Sequence, residues 1–165
     1  MSIMVEARNL SKQFSVADGT LHAVDNISFQ LQRGKTLGVV GESGCGKSTL
    51  GKLLVGLERV TAGEVLFRGE SIEKAGRAQW KKLRREMQMI FQDPMSSLDP
   101  RMCVKELIEE PLKIFKVCAS QSDLEKRVQA LMDQVGISRQ MIYSYPHELD
   151  GGRRQRVGIA RALAL

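Results

Sequence analysis

Residues 35–54 read KTLGVVGESGCGKSTLGKLL, and this stretch decides the fold. Lys35 to Val40 is a short apolar run closed by Gly41, the pattern of a buried parallel strand. Gly41 to Ser48, GESGCGKS, fits the spacing G-x-x-x-x-G-K-[ST]. From Lys47 to about Leu57, the residues Leu50, Leu53, Leu54 and Leu57 fall on one face of a helix. Strand, glycine loop and helix in that order specify an anion cradle. Glycine lets backbone N–H groups approach phosphate oxygens without a Cβ clash. Successive N–H groups form a nest, and the helix start adds the positive end of its dipole. In such a loop, Lys47 bridges β- and γ-phosphate oxygens and the Ser48 hydroxyl ligates Mg²⁺. Thr49 is the next hydroxyl along, placed for the α-phosphate, and Cys45 reads as a small filler.

Upstream of this stretch, Ile3, Val5 and Ala7 alternate, as do Ile27, Phe29 and Leu31, which predicts two half-buried strands with a turn at Gly34. Downstream, Glu64–Arg68 is a strand between Gly63 and Gly69, Gln79–Glu86 a basic helix, and Met87–Phe91 a further strand. Asp93–Arg101, with two Asp-Pro steps, reads as a loop. Val104–Phe115 carries Leu107, Ile108, Leu112 and Phe115 on one face, with Pro111 as a kink or break. Ser122, with Glu125 three residues on, predicts a capping box for a helix ending near Gly136. Another helix begins near Gly152.

The 165 residues suit one domain. With 42% hydrophobic and 27% charged residues, the composition excludes wholesale disorder, and 15 glycines and four prolines without period exclude collagen-like repeats. The net charge of +6 suits a polyphosphate, a nucleic acid or an anionic membrane face without choosing among them. Three cysteines without a CxxC pair point to a reducing compartment, with no disulfide framework and no zinc site. The start has no secretory pattern, and no apolar run is long enough to span a bilayer. Lys81, Lys82, Arg84 and Arg85 read as a solvated helix face, and His22 and His147 as locally hydrogen-bonded residues.

Beyond the phosphate loop, an ordered series of motifs resembles the ATP-binding subunits of ABC transporters. Phe14 stands where that family places an aromatic that stacks on adenine. Gln92 follows Met87–Phe91 as the family's Q-loop glutamine does. Leu149, Asp150, Gly151, Gly152 and Arg153, LDGGR, resemble the LSGGQ signature. The flanks FQDPMSSLDPR and YPHEL resemble the importer ATPases for dipeptides, oligopeptides and nickel. The resemblance implies an α/β P-loop nucleoside triphosphatase with an N-terminal antiparallel β subdomain and a helical subdomain. It places the β subdomain and P-loop core in residues 1–92, the helical insertion in 93–150 and the signature helix in 151–165. It implies ATP and Mg²⁺ as cofactors, with Gly41, Glu42, Ser43, Gly44, Cys45, Gly46, Lys47, Ser48 and Thr49 on the nucleotide and Ser48 and Gln92 toward the metal. The implied partners are transmembrane permease subunits and a second ABC ATPase in a homo- or heterodimer, at the cytoplasmic face of the membrane. No nucleic acid is expected.

Two departures qualify that expectation. The family continues past its signature helix into an apolar strand ending in Asp, then a catalytic Glu and later a switch histidine, none of which occurs here. The chain therefore reads as the N-terminal part of a longer ATPase, with an incomplete core sheet, an exposed apolar edge and weak or absent hydrolysis of its own. Its alternatives are a non-catalytic module that binds nucleotide or competes for permease contacts, and a soluble ABC-type ATPase acting on nucleic acid or ribosomes. The second departure is Asp150, where the family has serine. An ionised carboxylate only accepts hydrogen bonds. Two like charges about 4 Å apart repel by roughly 1–4 kcal/mol. Asp150 should weaken an ATP-bridged dimer unless Arg153 and Arg154 offset it.

Overall fold

The computed structural model describes residues 2–17, 19–93 and 97–165. Its backbone clusters into two units, Met1–Arg84 and Arg85–Leu165, each with its own buried core.

In the first unit, β1 (Ile3–Val16) and β2 (Gly19–Gln32) form a long antiparallel hairpin. β3 (Ala62–Phe67) pairs antiparallel with β1, and the short β4 (Glu70–Ser71) with β3, giving the order β2-β1-β3-β4. The alternation read from Ile3 onward shifts phase at Asn9, which takes φ +45°, so that Ala7 and Leu10 are both buried. The bulge is stitched by Ser28, whose Oγ accepts from the Asn9 N–H at 2.8 Å. A Cβ on Gly63 would lie 2.3 Å from the Asn9 carbonyl oxygen, so only glycine admits β3 this close. Val65, Leu66 and Phe67 are buried in succession, covered on both faces of β3. α1 (Lys47–Leu54) buries Leu50 and Leu53, and α2 (Arg77–Glu86) buries Leu83. Gly56 leaves room for the Trp80 indole, whose edge would lie 2.0 Å from a Cβ there. Lys81, Lys82, Arg84 and Arg85 are exposed, as the solvated-face reading requires.

Two expected strands are absent. Lys35–Val40 joins no ladder and is exposed, with Leu37 at 44%, Val39 at 47% and Val40 at 93%. Met87–Phe91 is likewise irregular, with Ile90 47% exposed. A strand exists only by hydrogen bonding to a neighbour, and among the described residues neither segment has one. α1 also ends at Leu54, earlier than the apolar spacing suggested, and Leu57 is exposed.

The second unit is helical. α3 (Val104–Ile114), α4 (Gln121–Gln134) and α5 (Gly151–Ala162) surround a core built from Val104, Leu107, Ile108, Leu131, Met132 and Val157. Pro111 neither breaks nor ends α3, which continues to Ile114. Near the C-terminal end it removes a single intrahelical donor, that of its own nitrogen. The N-cap of α4 is Ser120, not Ser122: Ser120 Oγ accepts from the Asp123 N–H at 3.1 Å. Glu125 instead pairs with Lys105 at 3.3 Å. Asp99 and Arg101 form a turn, while residues 94–96 of the expected loop lie outside the described residues. No helix among the described residues is long and apolar enough to cross a membrane.

Candidate nucleotide site

The phosphate loop hangs from β2. The pairing of β1 and β2 steps from Lys12–Val24 to Gln13–His22, so Ala23 is an extra residue. Its carbonyl oxygen would lie 2.0 Å from a Cβ on Gly46, which itself takes φ +94°. Both constraints demand glycine at residue 46. Gly46 is the N-cap of α1, and its carbonyl accepts from the Leu50 N–H at 2.8 Å. No side chain caps this helix and no acid lies in its first turn, so its leading amides keep their donors for a ligand.

Lys47 folds back across the loop. Its Nζ donates to the carbonyl oxygens of Gly41 at 2.8 Å and Glu42 at 2.5 Å, and lies 3.6 Å from Cys45 Sγ. The ammonium is thereby tied to the backbone of its own loop. Cys45 is exposed, and its sulfur lies against Gly41, where a Cβ would come within 2.7 Å of it. Ser43 and Gly44 are exposed along the rim, Gly44 with φ +82°, and Ser48 is exposed while Thr49 is half-buried. An ammonium, unspent amides and a free hydroxyl, with only Glu42 as an acid in the loop, are the donor set of a metal-bound polyphosphate.

Phe14 stands on the same part of the hairpin, opposite Leu21 and two residues from Ala23 along β2. It is half-buried, not a core residue. Lys12 Nζ sits 4.6 Å from its ring centroid and is held there by the Arg59 carbonyl at 2.9 Å and Glu58 at 3.2 Å. The sequence reading missed Lys12; its alternating position in β1 gave no sign of an aromatic two residues on.

Gln92 and the signature belong to the second unit. Gln92 is exposed, in a bend. Leu149 is buried and anchors the signature in the helical core. Asp150 is the N-cap of α5, with Oδ1 accepting from the Arg153 N–H at 2.8 Å. Its Oδ2 lies 3.4 Å from Arg153 Nε. Gly151, Gly152 and Arg153 are exposed. Of the two arginines expected to offset Asp150, Arg153 does so. Arg154 instead donates from Nε to the Pro146 carbonyl at 2.8 Å, which ties α5 to the turn before it. Arg156 donates to the Gly136 carbonyl at 2.9 Å, and His147 stacks against Tyr145 with centroids 5.8 Å apart.

The oligopeptide transport ATP-binding protein OppF of Haemophilus influenzae is 47% identical over 165 residues, covering 100% of this chain and 50% of that protein. OppF of Bacillus subtilis is 48% identical, covering 98% of this chain and 53% of its own length. The chain thus spans about half the length of the curated relatives it matches. Among solved structures, the dimeric ATP-binding cassette MJ0796, in a post-hydrolysis state bound to ADP and Pi, superposes with a TM-score of 0.89 at 28% identity. That likeness covers 98% of this chain and 69% of the cassette. The family model described as ABC transporter matches residues 24–165, from the middle of β2 through both glycine-rich helix starts, and the chain belongs to that family.

Proposed function

We propose that this chain is the nucleotide-binding part of a peptide importer. It binds Mg-ATP at Gly41–Thr49 with Phe14 against the adenine, and works with membrane permease subunits and a second ATPase copy at the cytoplasmic face. The observation that carries the reading is the uncapped start of α1, with the Lys47 ammonium tied to the Gly41 and Glu42 carbonyls of the loop before it. When nucleotide enters, Lys47 exchanges two carbonyl acceptors for phosphate oxygens, a move that keeps its ammonium solvated throughout. The loop amides would orient the phosphates, Ser48 would offer its hydroxyl to Mg²⁺, and the glycines keep side chains out of the contact. Bound Mg-ATP supplies the phosphoanhydride whose binding and cleavage drive transport in an importer ATPase. The names of the relatives, oligopeptide transport proteins, favour peptides as the solute.

A second reading is a non-catalytic module that binds nucleotide without turning it over. Thermal unfolding with and without Mg-ATP tests the first reading. At a hundredfold excess over Kd, a bound ligand adds about 2.7 kcal/mol, a rise of roughly 5–10 °C for a chain of this size. Lys47→Ala should abolish the shift, and an unshifted melt in the wild-type chain would refute nucleotide binding. Phosphate release by the same sample separates the readings, since the module binds without turnover.

A further inference from the structure

Residues 68–86 carry seven lysines or arginines against three glutamates, a balance of +4 out of the chain's +6. α2 concentrates them, with Arg77, Lys81, Lys82, Arg84 and Arg85 in one short helix and no acid in its first turn. Arg77, Lys81 and Arg85 follow at four-residue steps and form one ridge, with Lys82 beside it. These four are exposed, and among the described residues none of them forms an ion pair. Two nearby acids are engaged elsewhere. Glu70 accepts from Gln79 Nε2 at 2.6 Å, and Glu73 accepts from the Val65 N–H at 3.2 Å and the Ser71 hydroxyl at 3.1 Å. The opposite face anchors the helix: Leu83 is buried, and the Trp80 indole packs at Gly56 with the Arg84 guanidinium 5.9 Å from its ring centroid. Like charges one turn apart destabilise a helix, and cations at its start oppose the dipole. An anionic surface outside the chain relieves both.

What the face lacks narrows the partner. Among the described residues, no large apolar side chain between residues 58 and 89 is exposed. Protein interfaces are built on an apolar centre in which lysine is depleted, so this face does not resemble one. Trp80, the aromatic that could stack on a nucleobase, is packed at Gly56 instead. A bilayer leaflet rich in anionic headgroups asks only for clustered positive charge within a Debye length. We propose that the outer face of α2 is a membrane-contact surface for anionic phospholipid headgroups. The choice of lipid rests on the membrane-face reading above; the nucleotide site plays no part in it. The contact is electrostatic and peripheral, since the face has no large apolar side chain to enter hydrocarbon. Beside a permease, such a contact acts at high effective concentration and holds the first unit against the leaflet.

The test is cosedimentation of the whole chain with vesicles of phosphatidylglycerol mixed equally with phosphatidylcholine, against vesicles of phosphatidylcholine alone. The mixed vesicles should bind the chain at about 50 mM salt and release it by about 300 mM, as screening shortens the reach of each charge. Lys81→Gln with Lys82→Gln should weaken binding about thirtyfold, roughly fivefold for each cation removed. Lys81→Arg with Lys82→Arg should keep it within about threefold, because headgroup attraction reads charge rather than donor geometry. The glutamine pair should melt no lower than wild type, since it relieves the repulsion along the ridge, so lost binding is not lost folding. Equal binding to phosphatidylcholine alone, a glutamine pair that binds as tightly as wild type, or a wild-type chain that takes double-stranded DNA and no mixed vesicles at the same salt would each overturn the proposal. A chain whose melt is unmoved by Mg-ATP would overturn the nucleotide-binding reading while its vesicle binding still stood, so the two failures are read separately.

Discussion

Helices α1 and α5 both start at a glycine-rich turn, and their first turns are prepared in opposite ways. Ahead of α1 stands Gly46, in the left-handed region at φ +94°, with no side-chain cap and with a lysine laid over the loop. Ahead of α5 stands Asp150, in extended backbone, with its carboxylate on the Arg153 amide. Every helix start leaves amides without intrahelical partners, and something must satisfy them. At α1 the Ala23 carbonyl fills the space a Cβ would need, so no side chain can cap and the amides wait for an anion from outside. At α5 the chain carries its own anion. The difference teaches that a glycine-rich helix start is not one device. The residue at the N-cap decides whether the turn is open or already occupied.

The largest effect expected from breaking this contrast is at Gly46. Gly46→Ala places a Cβ 2.0 Å from the Ala23 carbonyl at a positive φ. Strain and displacement together should cost about 2–4 kcal/mol, visible as a lower chemical-denaturation midpoint and lost nucleotide binding. Next comes the cap at α5. Asp150→Ala removes the acceptor and should destabilise the second unit by about 1 kcal/mol, while Asp150→Asn keeps an acceptor and should cost only a few tenths. Equal losses from the two would show that charge, rather than capping, holds the turn.

A smaller effect comes from acid. Among the described residues, four carboxyls with depressed pKa lie in the second unit and one in the first. Arg101 holds Asp99 down at about 2, the Cys103 amide lowers Glu106, Gln121 and then Lys105 lower Glu125, and Arg139 lowers Asp133. In the first unit Arg8, then Gln30, lowers Glu6. A carboxyl held below its unfolded value contributes stability that is complete above that value and lost as pH falls through the folded one. For Asp99 that window runs from 3.8 down to about 2. Amide exchange measured from pH 5 to pH 2.5 should therefore show protection falling first in α3 and α4, with the β1–β2 hairpin following. Earlier loss in the hairpin would reverse the comparison.

Side-chain chemistry at fixed spacing was readable along the chain. GESGCGKS names its donors without reference to anything distant, and Leu107, Ile108 and Leu112 name the buried face of α3. Helix faces follow from 3.6-residue geometry within one segment, which explains why α1, α3 and α5 begin close to where the pattern placed them. The caps were harder. Ser120 and Ser122 both precede a helical run, and Glu125 offered the more familiar box, yet Lys105 of α3 claims Glu125 and leaves Ser120 with Asp123. Cys103 and Glu106 make a reciprocal cap at α3 that its residue types do not advertise.

By itself the sequence determined the residue types of the phosphate loop, the glycine pair of the signature and the apolar stripes of the helices, since each is set by neighbours a few residues away. Tertiary structure alone decided the rest. Lys35–Val40 and Met87–Phe91 have strand composition and no partner in a ladder, so they stay irregular. The bulge at Ala23 turns a carbonyl onto Gly46, and the Lys12 ammonium comes to rest over Phe14. Asp150 becomes a cap, and Arg153 its counter-ion, only once α5 has formed. Hydrogen bonds and ion pairs need a second group in space, and a linear string of residues does not say which of its members will arrive.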